Sequence, residues 1–215
     1  MTYDLCVVTD AALARGRSQL EIVRAAIKGG ATLIQFREKK GGTRELIETG
    51  EALRAATREA GVPLIVNDRL DVALAVDADG AHVGQDDLPA ALARRLIGPD
   101  GILGVSAASL GEALKAEREG ADYLGVGPIF PTGSKADAAP PMGLSGLSAV
   151  AARVHIPVVA IGGVGPENVE AVVGAGADGA AVVSAVVGAD DVEQAARLLR
   201  VRVRDAKARR SGATS

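Results

Sequence analysis

The chain has a single cysteine, Cys6, and no tryptophan, and only 2% of its 215 residues are aromatic. One thiol excludes an internal disulfide and any cysteine-built zinc cluster. A core short of aromatics must be filled by Val, Ile, Leu and Ala, and a hydrophobic content of 48% supplies enough of them. No apolar run reaches the ~20 residues needed to cross a bilayer, and the amino terminus lacks the charged lead of a signal peptide. The expectation is a cytoplasmic protein. The net charge of −3 excludes a broad nucleic-acid surface. It also means that anionic ligands must be captured by local groups rather than by the overall field.

What the chain does have is alternation. Short apolar runs predict strands at 5–9, 33–37, 64–67, 80–83, 101–105, 123–126, 158–161 and 179–183. Segments of helical period fall between them, at 18–28, 43–60, 70–75, 88–96, 110–119, 144–154, 166–173 and from 190 onward. Glycines at 29–30, 61, 120, 174 and 176 stand where helix C-terminal caps belong. Eight strand–helix units with no surplus segment predict an α/β protein of one domain, a closed (β/α)₈ barrel over 1–207, with 208–215 a disordered tail. A doubly wound open sheet is the competing arrangement. The length is near the roughly 250 residues typical of such barrels, whose interiors are filled by branched aliphatic side chains.

Unusual polar residues gather at the predicted strand ends, where these barrels keep their chemistry. After the second strand, alternation puts Gln35, Arg37 and Lys39 on one face with Leu33, and Ile34 and Phe36 on the other. The apolar pair suits the helix layer, so the polar set is expected to point into the barrel mouth, with Glu38 turned away. The third strand ends in Asn67-Asp68 and the fourth is followed by Gln85-Asp86-Asp87. Each Asp could simply cap the next helix. Two carboxylates from adjacent strand ends, close to Arg37 and Lys39, better suit Mg²⁺, which takes one or two carboxylates together with water and substrate phosphate. Asp68 and Asp87 are the favoured ligands, with Asp86 the local competitor.

Ser106 closes the fifth strand, and alone it is equally a turn residue. The sixth strand opens into Thr132-Gly133-Ser134-Lys135, a loop of hydroxyls, free N–H groups and one ammonium that can hold a phosphate. Gly162-Gly163 after the seventh strand and Val183-Ser184 after the eighth resemble the phosphate site often built there in such barrels. Two anion sites are implied. Arg37, Lys39 and Lys135 set against two carboxylates, with a metal, suit a diphosphate; neutral donors at 132–134, 163 and 183–184 suit a monophosphate. His82 and His155 are expected to be structural, and a Ser-His-Asp nucleophile has no support.

The ordered set Val7-Val8-Thr9-Asp10, Gln35–Lys39, Val66–Arg69, His82–Asp87, Gly125–Lys135 and Gly176–Ser184 resembles the thiamine-phosphate synthase family over nearly the whole chain. The resemblance implies a (β/α)₈ transferase of thiamine biosynthesis. Such enzymes join 4-amino-5-hydroxymethyl-2-methylpyrimidine diphosphate to 4-methyl-5-(2-phosphoethyl)thiazole, releasing pyrophosphate. It implies that Gln35, Phe36, Arg37, Glu38, Lys39, Asn67, Ser106 and Lys135 bind the pyrimidine diphosphate, and that Arg37, Lys39, Ser106 and Lys135 act in catalysis. It assigns Mg²⁺ to Asp68 and Asp87, and the thiazole phosphate to Thr132, Gly133, Ser134, Gly163, Val183 and Ser184. The implied partners are these two small molecules, with no nucleic acid and no membrane; a homo-oligomer is left open. A related thiazole tautomerase would need a histidine in the thiazole-binding loops, and neither histidine lies there.

Overall fold

The computed structural model describes residues 2–133 and 139–212. Eight parallel strands close into a barrel in sequence order: β1 (Leu5–Val8), β2 (Leu33–Phe36), β3 (Leu64–Asn67), β4 (Gly80–Val83), β5 (Ile102–Ala107), β6 (Tyr123–Val126), β7 (Val158–Ile161) and β8 (Gly179–Val182). The barrel shuts through the pairing of β1 with β8, where Cys6 faces Ala181. Around it run α1 (Gln19–Lys28), α2 (Thr43–Ala60), α3 (Leu70–Ala75), α4 (Ala90–Ile97), α5 (Leu110–Arg118), α6 (Gly143–Ala151), α7 (Val169–Gly174), α8 (Ser184–Val187) and α9 (Val192–Gly212). The barrel predicted from alternation is therefore the fold.

Local signals explain the frame. Ser18 caps α1 reciprocally with Glu21, and α2 ends at Gly61 in the left-handed conformation that glycine adopts without a Cβ penalty. The strands have apolar residues on both faces because both are covered. One parity packs outward under the helices: Leu5, Val7, Ile34, Phe36, Leu64 and Val66 belong to a large Val, Leu and Ala core. The other parity fills the barrel with a smaller set, Cys6, Val8, Leu33, Ile65, Tyr123, Val159 and Ala181. The few aromatics are thus spent selectively, with Tyr123 wholly buried on the barrel axis.

Three details depart from the sequence reading. A surplus helix exists: α8 starts directly after β8, and its Ser-Ala-Val-Val composition gave it no helical period to read. The strand β5 continues through Ser106 to Ala107, which turns Ser106 from a loop residue into an inward-pointing strand residue. The last helix runs to Gly212, past the residue 207 at which the barrel was expected to end. No helix among the described residues is long and apolar enough to cross a membrane.

Candidate active site

The C-terminal mouth of the barrel holds a cavity of about 460 Å³. On the β2 side Gln35, Arg37 and Lys39 line it, as alternation predicts. The backbone of Arg37 is fixed by Thr9, whose hydroxyl accepts the Arg37 N–H at 3.1 Å and donates to its carbonyl at 3.2 Å. Asp10 accepts from Arg37 Nη1 at 2.7 Å, with both side chains nearly buried. Its other oxygen caps the 3-10 turn Ala11–Leu13. One edge of the guanidinium is thereby clamped, and its other donors remain for a ligand. The side chains of Phe36 and Glu38 do not line the cavity. Phe36 is buried on the helix side, and Glu38 is held by Gln19 Nε2 at 3.0 Å and by the Lys40 N–H at 2.9 Å.

The capping alternatives for the two aspartates fail. Arg69 and Pro89 occupy the N-cap positions of α3 and α4, and neither helix start carries a side-chain cap. Asp68 sits in the left-handed region at φ 61°, its N–H tied to the His82 carbonyl at 2.8 Å. That conformation costs of order 1–3 kcal/mol for a non-glycine residue, and Asp68 lines the cavity. Burial, together with a hydrogen bond that protonated Asp68 donates to Asp87 and the Asp87 charge, pushes the Asp68 carboxyl up to about 6, against the opposing pull of Lys39 and Arg37. Two carboxylates in contact must share a proton or a cation. Among the described residues no group of three or more His, Cys, Asp or Glu is placed to hold a metal. The donor set is thus an oxygen pair, which fits Mg²⁺ rather than a zinc-type cage. Asp86 lines the same wall.

Below these groups the floor is polar. Ser106 Oγ lies 2.9 Å from His82 Nε2, and His82 Nδ1 lies 3.0 Å from the Tyr123 hydroxyl. Gln35 in turn hydrogen-bonds that hydroxyl. Burial pulls His82 down to about 4, so the ring is neutral at physiological pH. The Gln85 carboxamide donates to the Ser106 carbonyl at 2.6 Å. Sequence reasoning missed His82, Tyr123, Gln85 and Asp10 as parts of the site. For His82 a signal existed, since it shares the inward parity of β4 with Gly80 and Gly84.

The opposite rim comes from β6, β7 and β8. Thr132, Gly163, Val183 and Ser184 all border the cavity, while Gly133 does not. Gly162 and Gly163 have φ of 91° and 65°, and a Cβ on Gly163 would fall 2.7 Å from the Pro131 carbonyl oxygen. Only glycine allows the β6 and β7 loops to approach this closely. Ser134 and Lys135 lie outside the described residues.

Among the described residues, Arg37 and Lys39 share the cavity lining with four carboxylates, Asp68, Asp86, Asp87 and Glu112. Asp10 offsets Arg37 from behind.

Known proteins resemble this chain along almost its whole length. A family model described as thiamine monophosphate synthase matches residues 5–186. The thiamine-phosphate synthase of Chloroflexus aurantiacus is 65% identical over 201 residues, covering 94% of this chain and 93% of its own. That of Moorella thermoacetica is 60% identical over 198 residues, covering 92% and 94%. The solved thiamine phosphate pyrophosphorylase of Pyrococcus furiosus superposes with a TM-score of 0.88 at 48% identity, covering 95% of this chain and 96% of that one. A 3-hexulose-6-phosphate synthase at 20% identity and TM-score 0.69 shares the fold alone.

Proposed function

The chain belongs to the thiamine monophosphate synthase family, and from that premise we propose how its cavity forms thiamine phosphate. The reaction is the transfer of the pyrimidine methylene from its diphosphate to the thiazole nitrogen, with release of pyrophosphate. The observation that carries the reading is the division of one cavity into a charged wall and a neutral rim. Arg37, Lys39, Asp68 and Asp87 form the wall, and Thr132, Gly163, Val183 and Ser184 form the rim.

The wall takes the diphosphate. Asp68 and Asp87 would hold Mg²⁺, which supplies charge neutralisation for the leaving group when bound. Arg37, preset by Asp10 and Thr9, adds fixed donors to the phosphate oxygens as negative charge builds on them. Lys39 adds a mobile charge, and Lys135 is proposed to add another. Ser106 donates at the base of the wall, and Gln35 and Asn67 orient the pyrimidine. On the rim, N–H groups at Gly163 and at the Val183-Ser184 turn, with the hydroxyls of Thr132 and Ser184, take the thiazole monophosphate; Ser134 is proposed to join them.

The bond between methylene and leaving oxygen breaks with its electron pair on the diphosphate. The thiazole nitrogen then donates its lone pair to the cation-like methylene. That nitrogen carries no proton, so no protein base is required, and the catalytic burden is electrostatic and positional. His82 suits this reading and not a tautomerase. It is neutral, engaged at both nitrogens and seated in the floor rather than among the thiazole-side loops. A cytoplasmic setting accompanies the proposal and suits the free thiol of Cys6.

The test follows both products at once. With both substrates and Mg²⁺, thiamine phosphate and pyrophosphate should appear in equal amounts and stop on adding EDTA. Product formation that persists in EDTA would remove the metal role of Asp68 and Asp87. Absence of product, with thiazole phosphate binding intact, would remove the synthase reading.

A further inference from the structure

The floor network has a direction, and its members carry more information than their packing. Four side chains form one hydrogen-bonded chain across the barrel: Gln35 on β2, Tyr123 on β6, His82 on β4 and Ser106 on β5. The barrel is built around it. A Cβ on Gly104 would lie 2.3 Å from both His82 Nδ1 and Tyr123 Cζ, and one on Gly125 would lie 2.9 Å from His82 Cε1. Two strand positions are left without side chains where the relay passes. Tyr3 stacks beneath Tyr123 at a centroid distance of 5.0 Å and closes the lower end.

A neutral imidazole has one N–H and one lone pair, and the buried Tyr123 hydroxyl must place its hydrogen, so the chain has two senses in which both hydrogens are used. In one, Gln35 Nε2 donates to the Tyr123 oxygen, Tyr123 donates to His82 Nδ1, and His82 Nε2–H donates to Ser106 Oγ. Ser106 O–H is then free to donate upward, and Gln35 turns Oε1 to the cavity. In the other sense every bond reverses. Ser106 can then only accept, and Gln35 presents its N–H groups. A ligand with an anionic group at Ser106 and an amino group at Gln35 matches the first sense at both ends and clashes with the second at both.

We propose that His82 and Tyr123 are positioning residues that hold Ser106 as a donor and Gln35 as an acceptor toward one substrate. The proposal rests on the reading above, in which Gln35 meets the amino-pyrimidine and Ser106 the diphosphate. The relay moves no proton. It links recognition of the ring to stabilisation of the leaving group, because the orientation chosen at one end fixes the other. Gln85 anchors the Ser106 backbone, so only the hydroxyl direction remains for His82 to set.

The first measurement is made on the unmodified protein. It has two histidines, so ¹⁵N NMR in Mg²⁺ and inorganic pyrophosphate resolves them, and His82→Gln identifies the His82 pair. The proposal expects the Nε2–H tautomer; an Nδ1–H tautomer overturns it. The second is a double-mutant cycle. His82→Leu should lower kcat by about 30–100-fold while leaving the thiazole-phosphate KM within about twofold. His82→Gln, which keeps a donor within reach of Ser106, should recover about tenfold. In a Ser106→Ala background, His82→Leu should cost less than about threefold more, since a residue acting through Ser106 has nothing left to act on. Additive losses, or equal losses for Leu and Gln, mean that His82 only fills space. A wild type that makes no thiamine phosphate removes the reading beneath; a productive wild type with additive variants removes the relay alone.

Discussion

Asp79, Asp122 and Asp178 each stand one residue before a strand, β4, β6 and β8, at the N-terminal end of the barrel. Each carboxylate accepts an N–H from the start of the preceding strand, Leu64 at 2.8 Å, Leu103 at 2.7 Å and Val158 at 2.9 Å. Thr32 does the same for Leu5 at 3.0 Å before β2. An arginine from a helix meets each of the three carboxylates: Arg54 at 2.7 Å, Arg94, and Arg210 at 3.7 Å. At the other end of the same strands, Asp68 and Asp87 contact each other instead. The lower carboxylates are consumed in tying strand to strand and helix to barrel. The upper ones are held close in an arrangement that is unfavourable while both are charged. Identical chemistry therefore serves stability at one end and, in the proposed function, ligand capture at the other.

The sharpest break in this comparison comes from the upper end. Asp87→Asn keeps an oxygen for the Gly84 N–H and removes the like charge beside Asp68. Turnover should fall by about 10²–10³-fold, the usual cost of losing one preorganised electrostatic group. The melting temperature should stay level or rise. A variant that loses stability in step with activity would place Asp87 with the structural aspartates.

Between the two ends, His82 tests the cost of the polar floor. Its pKa of about 4 in the folded protein lies below the ordinary 6.5. As pH falls through that window the unfolded chain takes up a proton that the folded one refuses, so stability declines from pH 6.5 toward 4. The loss is on the order of 3 kcal/mol at its limit. Asp68, raised to about 6, acts in the opposite direction between pH 6 and 3.8 and is common to both proteins compared. Urea midpoints should therefore fall more steeply with acid in the wild type than in His82→Gln. Parallel curves would mean that His82 titrates as it does in the open chain.

Asp79→Ala should do the reverse of Asp87→Asn. It strands the Leu64 N–H and the Arg54 guanidinium, at a cost of about 2 kcal/mol. For a domain of this size that lowers the melting temperature by about 4–8 °C. Turnover at 25 °C should remain within about twofold, because the loss lies at the far end of the barrel from the cavity. A large fall in kcat would show that the two ends are coupled.

Several of these features were written in local sequence. The strands at Leu64–Asn67, Gly80–Val83, Tyr123–Val126 and Val158–Ile161 match their predicted bounds because Asp, Gly, Pro or a charged turn frames each apolar run. The inward parity of Gln35 and Arg37 followed from period two alone. What stayed hidden depended on register between strands. His82 meets Ser106 and Tyr123 across separations of 24 and 41 residues, and no local pattern announces those contacts. Two further carboxylates near the cavity stayed hidden for the same reason: Asp10 comes from the loop after β1 and Glu112 from α5. The apolar run predicts an eighth strand one residue too long, to Val183, because β-branched residues favour that state; the structure ends it at Val182 and makes Val183 the N-cap of α8.

The smallest predicted effect divides the upper end itself. Ser184 is exposed at the start of α8, on the rim across the cavity from Asp68 and Asp87. If the rim only holds the thiazole phosphate, its hydroxyl contributes equally before and during bond formation. Such uniform binding shows in KM and not in kcat. Ser184→Ala should then raise the thiazole-phosphate KM about fivefold, the equivalent of one hydrogen bond near 1 kcal/mol. The KM for the pyrimidine diphosphate and kcat should both stay within about twofold. A fall in kcat at constant KM would place Ser184 on the reacting centre, and the cavity would then act as one electrostatic unit rather than as a wall and a rim.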